Sequence, residues 1–243
     1  MKVKYLGKKN SSKILDYSPN LLDSVERLHT SSSNYYGIDY WNAYEFSYLN
    51  ASSQQKLETL EIKIPADSKI TVESKSLKIY LASFYKKKFK ASINAHQLIA
   101  KDLSKLLQSK IMVSKKNVYE EAPKAFLLNR SDAMVPKNKI IRYEGFRSIC
   151  PVTSQPDWAN IYIHSSSNAL DAKKIIKLLK SFKERGDFHE ACIDSIFSSL
   201  MHDFHINDLT VCGRFLRRGG IDINPIRSSK KKIFFNNFRD FNQ

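Results

Sequence analysis

Cysteine is scarce in this chain and wrongly spaced for staples. Among 243 residues there are three, Cys150, Cys192 and Cys212, an odd number with no CxxC pair. That disfavours both a disulfide framework and a Cys-rich zinc site, and it fits a reducing compartment. Glycine and proline number seven each, too few for a low-complexity chain. No run of about 18 apolar residues occurs, and the basic start MKVKYLGKKNSSKILDYSPN lacks the continuous apolar stretch of a secretory leader. No GxGxxG fingerprint follows a strand, so a dinucleotide on a Rossmann module is not expected. The chain reads as a soluble, cytoplasmic protein.

What is present is the material of a core. Hydrophobic residues make up 42% and aromatics 12%, enough at this length for one large domain or two modules of about 100 to 130 residues. Lys and Arg total 40 against 24 Asp and Glu, a formal charge of +16, which suits nucleic acid or a site for an anionic cofactor. The charge is spread along the chain, with local clusters at Lys86, Lys87, Lys88 and Lys90 and at Arg227, Lys230, Lys231 and Lys232. Such runs are ordinarily solvated faces.

Residues 1–36 are Ser/Asn/Lys-rich and weakly patterned, and ordered structure is expected from GIDYWNAYEFSYLN onward, where Tyr40, Trp41, Tyr44, Phe46 and Tyr48 follow Tyr36. In LETLEIKIP, Leu60, Ile62 and Ile64 alternate with polar neighbours, the period of a half-buried strand. In ESKSLKIYLASFYKKK, Leu77, Tyr80, Leu81 and Phe84 fall on one helical face. A second helical pattern carries Ile93, Leu98, Ile99, Leu103, Leu106 and Leu107, before strands at IMVS and AFLL. The order recurs downstream. KIIRYEGFRSIC and NIYIHS read as strands, NALDAKKIIKLLKSF and FHEACIDSIFSSLMHDF as helices, and LTVCGRFL and KKIFF as strands. This predicts an α+β protein of two modules, 37–130 and 131–243, after an N-terminal tail of 1–36, each module an antiparallel sheet with a helix pair on one face.

Four segments could carry chemistry. In FRSICPVTSQPDW, Cys150 precedes Asp157 by seven positions, with prolines between and Arg147 nearby. That arrangement suits a nucleophile beside a proton donor, since thiolate is the reactive form and a free thiol at a pKa of about 8.5 is mostly protonated. It equally suits a buried thiol before a turn. Glu73, Ser74 and Lys75 precede the Leu77 helix; Ser74 is placed as its cap, and first-turn amides could hold phosphate. His189 and Glu190 open a helix, where a carboxylate favours the macrodipole and could accept paired hydrogen bonds from a guanine-like base. Arg217, Arg218, Gly219 and Gly220 end a strand with two cations and two flexible residues, suited to a phosphate or to a solvated turn.

Taken in order, GIDYWNAYEFSYLN, ESKSLKIYLASF, SICPVTSQPDWANI, SFKERGDFHEACIDSIF and RRGGIDINPIRS resemble the queuosine-pathway nitrile reductase family, the NADPH-dependent 7-cyano-7-deazaguanine reductases, in their two-module form, over Gly37 to Ser228. The resemblance implies a tunnelling fold, with the cofactor motif in the first module and the nucleophile, acid and base anchor in the second. It matches Cys150 to the residue that attacks the nitrile carbon to give a thioimide, and Asp157 to the proton donor. His189 matches a catalytic and substrate-binding position and Glu190 the base anchor. Val72, Glu73 and Ser74 match a second substrate-contacting stretch, and Ser74, Lys75, Arg218 and Gly219 the NADPH contacts. It further implies a small-molecule substrate, 7-cyano-7-deazaguanine; a homo-oligomer, expected to be a dimer; no metal; and neither nucleic acid nor membrane as a direct partner. The region before residue 37 and that between the modules are shorter than the two-module form leads one to expect. Two alternatives share parts of these features: a same-fold enzyme forming an amidine on a tRNA-borne nitrile, and a non-catalytic basic module binding RNA. A zinc-dependent pterin-forming cyclohydrolase is a weaker relative, as no Cys/His ligand set surrounds Cys150.

Overall fold

The computed structural model describes residues 16–27, 35–129, 134–166 and 168–243, and the chain divides into two compact units. The first gathers Tyr40–Val118 and Arg217–Asp222 with the described residues up to Arg27; the second gathers Tyr119–Leu216 and Ile223–Gln243 with the described residues up to Asp39. No helix among the described residues is long and apolar enough to cross a membrane.

In the first unit the elements are β1 (Ser24–Glu26), β2 (Tyr36–Leu49, counted here from Tyr40), β3 (Gln55–Pro65), β4 (Ile70–Val72), α1 (Ser74–Ala82), α2 (Ser92–Leu107) and β5 (Met112–Lys115). The sheet order is β5-β3-β2, with β3 and β5 antiparallel. The alternation read from the sequence is the core: Leu60, Ile62 and Ile64 are fully buried, and so are Leu77, Tyr80 and Phe84 of the expected helical stripe. Complete burial of such side chains contributes about 1.5–3 kcal/mol each. The second helix departs from its expected face at three positions, with Leu98 and Leu106 only half-buried. Ile93 is exposed, and Ala95, His96, Ile99, Leu103 and Leu107 form the inner stripe. His96 is tolerated there because its Nε2 lies 3.0 Å from Glu58 Oε2.

The second unit contains β6 (Glu120–Glu121), β7 (Phe126–Leu127), β8 (Met134–Val135), β9 (Ile140–Ile149), β10 (Pro156–His164), β11 (Leu170–Asp171), α3 (Ala172–Lys180), α4 (His189–His202), β12 (Thr210–Phe215), β13 (Ile221–Ser228, counted here from Ile223) and β14 (Phe238–Arg239). Its sheet order is β13-β12-β10-β9-β7, antiparallel except for the short β7–β9 pair. Its core is built from one sheet face and from Ile175, Leu179, Ile193, Ile196, Phe197 and Leu200 of α3 and α4. Asp171 caps α3, accepting from Lys174 N at 3.0 Å.

Three local expectations are corrected. Ordered structure begins before GIDYWNAYEFSYLN, because β1 pairs antiparallel with β4, Ser24 opposite Val72. KKIFF is not a strand, and the last long strand is IDINPIRS instead. Every residue of that strand is buried, including Asp222, Asn224, Arg227 and Ser228, so no period of two marks it. Arg227, expected on a solvated charged face, is fully buried and ion-paired to Asp39 and Asp194.

Candidate functional site

Strand pairing gives the Cys150–Asp157 spacing a geometry. β9 and β10 form a hairpin in which Ile149 pairs with Pro156 and Ser148 with Asp157. Cys150 N donates to Gln155 O at 2.9 Å, which continues the ladder one rung beyond β9. Ser154 closes the turn at φ +56° and donates its N–H to Cys150 O at 3.0 Å. Strand residues alternate between faces, so Ser148, Cys150 and Asp157 share one face.

That face is set by a bulge. Ala159 pairs with Phe146 and Ile161 with Tyr143, so β9 carries one extra residue, and Gly145 sits there at φ +71°. Before the bulge the buried residue of β9 is Ile141; after it they are Phe146 and Ser148. Arg147 falls on the other face. Its Nη1 donates to Lys183 O and its guanidinium lies 5.9 Å from the Trp158 ring centre, so it is not the thiolate partner suggested by proximity in sequence.

α4 reaches the hairpin through the loop before it. Ile149 N donates to Arg185 O at 2.9 Å, and Gly186 bridges Ile149. His189 is the first residue of α4, and its Nε2 lies 3.3 Å from Asp157 Oδ2. Its ring stacks on Phe215 at 4.0 Å between centres and 12° between planes. Glu190, in the first turn, is 5% exposed, and Asp157 equally so. The three cysteines are now distinguishable. Cys192 and Cys212 are fully buried, and burial pushes their thiols up to about 12 and about 11. Cys150 alone is not buried.

The first unit holds the remaining candidates. Val72 ends β4, and Glu73, not Ser74, caps α1: its carboxylate accepts from Lys75 N at 2.8 Å and Ser76 N at 2.7 Å. Two amides expected to greet a phosphate are therefore already engaged, and Ser74 is the first residue of the helix. Arg218 and Ile221 close a tight turn through Arg218 N to Ile221 O at 2.9 Å, with Gly219 at φ +57° and Gly220 at φ +79°. Their positive φ is what calls for glycine, and the atoms nearest to an added Cβ are the mobile ends of two charged side chains. A Cβ on Gly219 would lie 3.1 Å from Lys78 Nζ, and one on Gly220 2.6 Å from the Glu45 carboxyl carbon. Lys78 and Glu45, which sequence reasoning missed, line a shallow hollow with Ala43, Leu81 and these glycines. Burial and the adjacent Arg218 charge hold the Lys78 pKa below the usual lysine range, although Glu73 and Glu45 partly offset them. Two cations disfavouring each other beside a glycine cradle fit a phosphorylated cofactor, whose negative charge would relieve both. Among the described residues, no group of three or more His, Cys, Asp or Glu side chains could hold a metal ion.

Comparisons with known proteins bear on both units. Residues 15–115 match the family described as nitrile reductase, 7-cyano-7-deazaguanine-reductase N-term, and residues 156–234 match the family described as QueF-like protein. A Coxiella burnetii protein named NADPH-dependent 7-cyano-7-deazaguanine reductase is 33% identical over 259 aligned positions, covering 94% of this chain and 92% of the relative. A Teredinibacter turnerae protein of the same name is 34% identical, covering 88% of this chain and 87% of its own length.

Proposed function

This chain belongs to the NADPH-dependent 7-cyano-7-deazaguanine reductases, and from that premise we propose that Cys150 captures the nitrile carbon of the substrate while Asp157 protonates its nitrogen. The activity is reduction of 7-cyano-7-deazaguanine to 7-aminomethyl-7-deazaguanine in queuosine biosynthesis, a four-electron change. NADPH, when bound, supplies hydride equivalents, two per nitrile.

A nitrile is a poor electrophile. Addition of the Cys150 thiolate to its carbon breaks one C–N π bond, and the nitrogen takes a proton from the Asp157 carboxyl, leaving a neutral covalent thioimide and an Asp157 carboxylate. His189, 3.3 Å from Asp157, is placed to exchange that proton. Glu190, in the first turn of α4 where the macrodipole favours its charge, anchors the base through its ring N–H and amino group. Val72, Glu73 and Ser74 form a second substrate-contacting stretch. With the Glu73 carboxylate bound to the α1 amides, the Ser74 hydroxyl carries the polar contact there. Ser74, Lys75, Arg218 and Gly219, joined by Lys78, hold the cofactor. The protein acts in the cytoplasm as a homodimer on a free base, with neither nucleic acid nor membrane as a direct partner. Light scattering of the purified chain tests the dimer.

The observation that carries this reading is the contact of Asp157 with His189 on the hairpin face shared by the one cysteine that is not buried. The test is intact mass after incubation of the full chain with the nitrile base and no NADPH. An adduct of the mass of the base is expected in the parent protein and not in Cys150→Ala. Nitrile-driven NADPH oxidation by Cys150→Ala would overturn the mechanism.

A further inference from the structure

We propose that Phe215, with Gly213 making room for its ring, is the positioning residue that fixes the plane of the His189 imidazole against Asp157; this rests on the reading of the site given above. Every residue of β12 is buried. Gly213 and Phe215, two apart, share one face of that strand, and His189 and Ile193, four apart, share one face of α4. The two faces meet. A Cβ on Gly213 would lie 2.7 Å from Ile193 Cδ1 and 2.9 Å from Phe215 Cε2. Gly213 is not among the glycines with positive φ, so what requires glycine there is space and not backbone conformation. That space lets the Phe215 ring lie flat under the imidazole, at 4.0 Å and 12°, while the Phe146 ring meets it edge-on at 6.1 Å and 89°.

The consequence concerns a torsion. The χ2 well of histidine is broad and roughly two-fold, so a ring held at one nitrogen alone no longer flips but still swings out of its plane. Here Asp157 holds Nε2 and Phe215 holds the plane. Nδ1 is then aimed in one direction; it is buried and makes no hydrogen bond within the described residues. Roles are thereby assigned to the two nitrogens, Nε2 exchanging its proton with Asp157. Gln243 steadies the strand end that carries the ring, its Nε2 donating to Phe215 O at 2.8 Å and to Asn224 Oδ1 at 2.7 Å.

Phe215→Leu and Phe215→Met keep apolar bulk but lose the flat face, whereas Phe215→Tyr keeps it. In the full chain, both aliphatic variants should lower kcat for nitrile-dependent NADPH oxidation about 10- to 100-fold, with KM for the nitrile within about threefold. Phe215→Tyr should restore the parent kcat. The ring-current-shifted His189 proton resonances should be present in the parent and Phe215→Tyr and lost in the aliphatic variants. Unchanged kcat in Phe215→Leu, a His189 resonance that does not move, or failure of both aliphatic variants to fold would overturn the positioning role, the last by assigning Phe215 to packing alone. Absence of any Cys150 adduct in the parent would instead overturn the functional reading, and the resonance shift would still decide whether Phe215 holds the ring.

Discussion

Replacing Arg227 by methionine should destabilise the second unit by several kcal/mol. The guanidinium is fully buried, with Nη1 2.6 Å from Asp39 Oδ1 and Nε hydrogen-bonded to Asp194, whose Oδ1 also accepts from the Tyr35 hydroxyl at 3.1 Å. Burial alone would lower the Arg227 pKa, but the charges of Asp39 and Asp194 more than offset it and hold the group above the usual arginine range. Methionine would keep much of the stem's packing and leave two buried carboxylates without their cation. Breaking a buried pair this way costs about 3–5 kcal/mol, against a total stability of about 5–15 kcal/mol for a domain. The chain has two tryptophans. Trp41 lies in the first unit and Trp158 in the second, so a Trp41→Phe background lets fluorescence report the second unit alone. With a urea slope of roughly 2 kcal/mol per molar, Arg227→Met should move the midpoint down by about 2 M. Adding Asp39→Leu and Asp194→Leu should recover much of it, because a buried ionic group replaced as a whole by apolar side chains is often neutral. A shift below about 0.5 M for Arg227→Met would refute the reasoning.

Three further outcomes are expected. Native protein should take up one equivalent of iodoacetamide, at Cys150, and Cys150→Ala none, since burial raises the Cys192 and Cys212 thiols to about 12 and about 11; a second equivalent on folded protein, read by mass, would contradict this. Asp157→Asn should bind the base yet form the Cys150 adduct about 10²- to 10⁴-fold more slowly, and a loss under tenfold would place the proton elsewhere. Because the Lys78 pKa is lowered by burial and by Arg218, its charge is fully present well below that lowered pKa and is lost as pH rises through it. NADP⁺ affinity measured by calorimetry should therefore fall at a lower pH than an ordinary lysine would dictate, and Lys78→Arg should remove the fall. An affinity equally pH-dependent in both proteins would exclude Lys78.

The strands and helices were legible wherever one face is buried and the other wet. Leu60, Ile62 and Ile64 on β3 and the Leu77 stripe on α1 are such cases, and each is fully or nearly fully buried. Legibility failed at β13, where Asp222 receives hydrogen bonds from Asn42 at 2.7 Å and from the Tyr44 hydroxyl at 2.5 Å, and Arg227 is neutralised by carboxylates. Polar residues satisfied by distant partners look like loop residues in one dimension. At the site, the residues proposed as nucleophile, acid and base anchor were singled out through a resemblance that compact motifs carry. Phe215 and Gly213 were not, because their meaning depends on His189 and Ile193 arriving from another element. Serine is common as a helix cap, which favours Ser74 on sequence alone, but Glu73 one residue earlier reaches both amides.

The bulge at Gly145 shows why a spacing alone could not decide between a nucleophile and a buried thiol. Along an unbroken β9, the face that buries Ile141 would also carry Arg147, and Ser148 and Cys150 would point away from α3 and α4. One extra residue opposite Asn160 reverses that parity, so Phe146 and Ser148 turn inward and Cys150 follows them at the turn. No Cβ on Gly145 would meet another atom within 4 Å, so its φ of +71° is what calls for glycine. The seven-residue spacing then does the rest. It puts Asp157 opposite Ser148, two rungs inside the Cys150–Gln155 rung and on the face where His189 contacts it. A buried thiol would need no such register, whereas the acid and nucleophile we propose, serving adjacent atoms of one triple bond, would.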